Sequence, residues 1–104
     1  MTTTAPATAA TPAPALGRQI SEQEATHKIN VLRDQIDAVD DAIISLIDER
    51  IALSHNVGAL RAAIGGPRLS LSRENQILGK FARAIGTHGT PLAMLLLKIS
   101  RGRL

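Results

Sequence analysis

Ten apolar side chains, Ile29, Leu32, Ile36, Val39, Ile43, Leu46, Leu53, Val57, Leu60 and Ile64, recur at alternating steps of three and four residues, interrupted once. That spacing is a heptad seam running along one side of an α-helix. The interrupted step, between Leu46 and Leu53, is occupied by Arg50. A second stripe, Ile44, Ile47 and Ile51, widens the apolar face in its middle. A helix from about 24 to 64 would be about 60 Å long, far more than a 104-residue domain can cover by itself. Another chain is expected on that face.

Local signals set the ends of the elements. Ser21 followed by Glu24 fits a capping box, and Gly65-Gly66-Pro67 ends the long helix, because two glycines remove helical preference and proline forbids continuation. Ser70 or Ser72 can cap a second helix of about 72 to 86, with Ile77, Leu78, Phe81, Ala82 and Ile85 on its apolar face and Gly86 closing it. Thr90-Pro91 supplies a cap and a first-turn proline for a third helix, predicted to turn Leu92, Leu95, Leu96 and Ile99 inward and to run to about Arg101. No segment has strand periodicity, so the fold class is all-α, one long helix plus two shorter ones. Residues 1–22, rich in Ala, Thr and Pro, read as a disordered tail, and 23–104 as the helical domain. The tail has neither a compact apolar stretch nor a basic start, and Arg18 is its only basic residue; cytoplasmic residence is expected.

Composition narrows the function. A single domain of this size is marginal alone, which again favours oligomerisation. With no cysteine there is no disulfide framework and no thiolate zinc site, and His27, His55 and His88 are too scattered for a metal. The lone aromatic, Phe81, offers no stacking platform, so nucleic acid is not the expected partner despite a formal charge of +3. No apolar run approaches the roughly 18 to 20 residues of a membrane span. Gly65-Gly66 follows a helix and lacks the lysine-serine ending of a phosphate loop.

Arg50 carries the chemistry, because a guanidinium in an apolar seam costs several kcal/mol in desolvation unless something negative meets it. A carboxylate such as Asp48, Asp37 or one across an interface could do so, or Arg50 could set register in a coiled coil, or an anionic ligand could bind it. Arg61, eleven residues on, projects from the same side about 16 Å further along, so the two can address one cleft. Arg33 lies about 42 Å from Arg61 along the axis and well off its face, so it cannot complete that cleft from the same helix, though an antiparallel partner could deliver it. Arg73 and Glu74 open the second helix, where they form either an exposed helix start or the rest of a pocket. The residue types suit recognition of a small, multiply anionic organic molecule by forked guanidinium groups.

The segments LRDQIDAVDDAIISLIDERIALSHNVGALR (32–61), GGPRLSLSREN (65–75) and LLLKISRGRL (95–104) together resemble the all-helical chorismate mutases, in particular their short actinobacterial-type delta subclass. The resemblance implies an interlocked helical homodimer that converts chorismate to prephenate in phenylalanine and tyrosine biosynthesis, without cofactor or metal. It implies that Arg50 and the partner's Arg33 clamp carboxylates, that Arg61 stabilises the ether oxygen, that Arg73 contacts substrate and that Glu74 accepts a hydrogen bond from the ring hydroxyl. Relative to other members of the wider family, Arg61 replaces a lysine, Ser70 stands for an aspartate, and Leu97 or Arg101 faces a region served there by a glutamine. In the delta subclass a weak mutase is boosted by complex formation with 3-deoxy-arabino-heptulosonate 7-phosphate synthase. Arg101, Gly102, Arg103 and Leu104 resemble the docking segment and are expected to bind that partner and reposition the loop from Gly65 to Ser72; an ordinary basic terminus is the plainer reading. Two other functions compete: a non-catalytic helical interaction module, in which Arg50 only sets register, and an isochorismate-pyruvate lyase of the same superfamily.

Overall fold

The computed structural model describes residues 19–67 and 70–101. Three helices follow in order: α1 (Glu22–Ala63), α2 (Leu71–Ile85) and α3 (Gly89–Arg101). The described residues are all-α, and none of their helices is long and apolar enough to cross a membrane. Residues 1–18 of the predicted tail and Gly102, Arg103 and Leu104 lie outside the described residues.

The helix ends follow local chemistry. The Glu24 amide donates to Ser21 Oγ at 3.0 Å and the Ser21 amide to Glu24 Oε1 at 3.3 Å, so each satisfies an amide that the helix start would leave unpaired. At the other end the Gly66 amide reaches Arg61 O at 2.8 Å and the Gly65 amide Ala62 O at 3.2 Å, with Gly65 at φ 70°. This pair of bonds is a Schellman closure, and its left-handed position explains why glycine stands at 65. Ser70 caps α2 by accepting from the Arg73 amide at 3.3 Å, and Gly86, at φ 91°, ends it.

One cap differs from expectation. α3 starts at Gly89, not after Thr90, and its first intrahelical bond runs from the Leu92 amide to His88 O at 3.1 Å. Pro91 therefore sits in the first turn, where its missing N–H leaves no partner wanting. The earlier start is possible because Gly89 lies against the backbone of α2: a Cβ there would collide with the Phe81 carbonyl and come within 2.9 Å of Ala82 Cα. Gly89→Ala is accordingly expected to destabilise the fold by about 3 kcal/mol and lower Tm by roughly 10 °C or more, read by thermal circular dichroism. An unchanged Tm would mean that the α2–α3 crossing is looser than described.

The chain divides into two compact units, Met1–Asp41 and Ala42–Leu104, with the boundary inside α1. In the first, every seam residue from Ile29 to Val39 is exposed. In the second, α2 and α3 pack on each other, burying Ile77 and Ala93. The inward row of α3 is Gly89, Ala93 and Ser100, flanked by half-buried Leu96 and Leu97. Leu92, Leu95 and Ile99, predicted to face inward, are exposed, as is Ile85 of α2. Small residues take the contact because the two helices cross closely at Gly89; the larger side chains are turned away from that crossing. On the second half of α1, Ile47, Arg50, Ile51, Ser54 and Arg61 are half-buried, whereas Leu46, Leu53, Val57, Leu60 and Ile64 are exposed. No residue of α1 is buried.

Candidate active site

Within the unit Ala42–Leu104 a cleft of about 1050 Å³ opens among the three helices. From α1 it receives Arg50, Ser54 and Arg61; from the start of α2, Ser70, Arg73, Glu74 and Ile77; from the end of α3, Leu97, Ser100 and Arg101. Arg50 and Arg61 thus meet one space, as their eleven-residue separation leads one to expect, and the Gly-Gly-Pro turn brings Arg73 and Glu74 back beside them. Four guanidinium groups and one carboxylate line the cleft, a balance that favours a ligand carrying more than one negative charge.

Two polar contacts fix its walls. The Arg50 Nη1 donates to the hydroxyl of Ser100, which is 3% exposed. Arg101 Nη1 donates to Glu74 Oε2 in an ion pair whose side chains are 30% and 22% exposed. Among the described residues no ion pair joins Arg50 to Asp48. Glu74 itself is set by the cap of α2, its amide donating to Ser70 O at 3.0 Å. The Ser70 hydroxyl accepts from the Arg73 amide.

Arg33 is exposed on α1 and is not among the residues lining the cleft. Arg101, expected at a docking surface, lines the cleft as well, and so does Leu97. Nothing local in the sequence singles out Ser100. Its signal was present, a lone polar residue at position i+7 from Ala93 on what proves to be the buried row of α3, but recognising it required knowing how that helix is turned. Among the described residues no group of three or more His, Asp or Glu is placed to hold a metal ion.

The family model for chorismate mutase type II matches residues 32–96. The chain belongs to the type II chorismate mutases. The matched stretch of this chorismate mutase family chain includes Arg33, Arg50, Arg61, Arg73 and Glu74 and stops just short of Ser100 and Arg101. The chain is 43% identical over 81 residues to an intracellular chorismate mutase of Mycolicibacterium smegmatis, covering 78% of each protein. It is 37% identical over 90 residues to an intracellular chorismate mutase of Mycobacterium tuberculosis, covering 86% of this chain and 85% of that one. Among solved structures it resembles, with a TM-score of 0.73 and 34% identity over 77% of this chain and 96% of the other, a chain from a non-covalent complex of DAHP synthase and chorismate mutase from Corynebacterium glutamicum with a bound transition-state analogue.

Proposed function

We propose that this chain converts chorismate to prephenate inside the cell, as a homodimer whose turnover is raised by complex formation with 3-deoxy-arabino-heptulosonate 7-phosphate synthase. The observation that carries the reading is the convergence of Arg50, Arg61, Arg73 and Glu74 on one cleft in a chain of this family. The reaction is an intramolecular Claisen rearrangement: an ether C–O bond breaks as a C–C bond forms, and no proton need move. Two requirements follow, confinement of the substrate in its folded conformer and cations placed where negative charge grows on the ether oxygen. Arg50 and Arg33 of the partner subunit hold the two carboxylates. Arg61 donates to the ether oxygen, and Arg73 adds a further contact. Glu74, with one carboxylate oxygen engaged by Arg101, accepts the ring hydroxyl on the other.

The exposed seam of α1 supports the homodimer, since a chain of this mass does not otherwise leave ten large apolar side chains in water. The complex of the Corynebacterium relative supports the synthase as partner. The docking segment in this reading is Arg101 to Leu104, which rests on the resemblance of the RGRL ending alone. The test is the loss of chorismate absorbance with purified protein, alone and with the synthase added. Slow turnover that the synthase accelerates and Arg61→Ala removes is the expected result. No turnover in either condition would leave a helical interaction module, and pyruvate release from isochorismate would indicate the lyase instead.

A further inference from the structure

Among the described residues Ser100 is the buried polar side chain, and its one side-chain partner there is a guanidinium from another helix. A hydroxyl removed from water is costly unless bonded, so the contact with Arg50 satisfies Ser100. The consequence for Arg50 is larger. An arginine on its long stem carries much rotamer entropy, part of which is lost each time it grips a ligand. A bond to an oxygen held rigidly on α3 removes that freedom beforehand and leaves the other N–H donors of the fork for the cleft. The partner's neutrality matters as much as its rigidity. A carboxylate in the same place would aim the guanidinium and cancel its charge, whereas a hydroxyl aims it and leaves the full charge for an anion. The next residue shows the opposite arrangement: Arg101 meets Glu74 as an ion pair in which both charges are offset.

We propose that Ser100 is a positioning residue that aims the Arg50 guanidinium at a carboxylate of the substrate, an assignment that rests on the chorismate mutase reading above. Acting through a group that binds substrate, Ser100 affects affinity more than the chemical step.

The experiment is steady-state kinetics on chorismate with the full chain and its synthase partner, comparing the parent with Ser100→Ala, Ser100→Thr, Ser100→Val, Arg50→Lys and the Arg50→Lys/Ser100→Ala double variant. Ser100→Ala is expected to raise KM about tenfold with kcat changed by less than about threefold. Threonine, which keeps the hydroxyl, should return KM to within about threefold of the parent, while valine, of the same shape without it, should not. In the Arg50→Lys background the alanine substitution should add less than about twofold, because the group it acts through is already lost. An unchanged KM in Ser100→Ala, equal behaviour of threonine and valine, or the same factor in both backgrounds would each overturn the assignment. Should Ser100→Ala fail to fold, the threonine and valine pair carries the test. A parent enzyme that leaves chorismate untouched refutes the functional reading itself, whereas an active parent with indifferent Ser100 variants refutes only the role of Ser100.

Discussion

Arg50→Leu is expected to lower kcat/KM for chorismate by about 10²- to 10³-fold while leaving a folded protein, dimeric as proposed, of unchanged or higher Tm. The two effects separate because different groups feel the change. Turnover loses a charged, forked donor to a substrate carboxylate, and leucine offers no substitute. Stability loses one hydrogen bond, that to Ser100, worth about 1 kcal/mol, and leaves a buried hydroxyl to find another acceptor or donor. Against this, a half-buried guanidinium is no longer desolvated, and the step between Leu46 and Leu53 receives the residue its spacing lacks. The gain is of the same order as the loss or larger. Activity is followed by chorismate absorbance and stability by thermal melting of the same preparation. An active Arg50→Leu enzyme would remove Arg50 from the proposed site. A variant that loses stability and turnover together would instead make Arg50 a structural residue.

Leu46→Glu should convert the proposed dimer into largely unfolded monomer at micromolar concentration, a loss of at least about 3 kcal/mol per protomer. Leu46 is 63% exposed in the single chain, so in an isolated protomer the substitution would be nearly neutral, and glutamate is as good a helix former as leucine. In a seam between two chains the same carboxylate is buried without a partner and faces apolar side chains from both sides. Ala52→Glu, at an exposed position off the seam, is the control and should leave mass and Tm unchanged. Sedimentation equilibrium measures the outcome directly. A Leu46→Glu protein that stays dimeric would place the interface elsewhere on the chain.

What the sequence announced, and what it withheld, divide along the range of the interactions involved. Ser21 with Glu24, Gly65 with Gly66, and Ser70 were readable because a cap is satisfied by residues three to five positions away, so the information is contiguous. Arg50 stood out because it broke a period, and Arg61 followed from the pitch of the same helix. Thr90 misled because it and Pro91 make a sound local start, and the close approach of Gly89 to Phe81, a contact between helices, overrode it. Leu92, Leu95 and Ile99 are apolar yet exposed in the single chain for a related reason: an apolar face says that something will cover it, not which element or which chain. Ser100 and the pairing of Arg101 with Glu74 depend on the rotation of α3 about its own axis, which only the packing of α2 against α3 decides.

The intrachain packing of α2 on α3 also sets a clock. These helices are joined by a turn of three residues, Gly86 to His88, and their contacts are close in sequence, so they can form within the microseconds typical of local helical structure. Among the described residues the seam of α1 has no such neighbour. Refolding from denaturant should then show a fast phase indifferent to protein concentration, followed by a second-order phase whose half-time halves when the concentration is doubled. Newly made chains would spend that interval with a long greasy stripe in water, an interval that lengthens as synthesis becomes slow and dilute and shortens when chains are released close together.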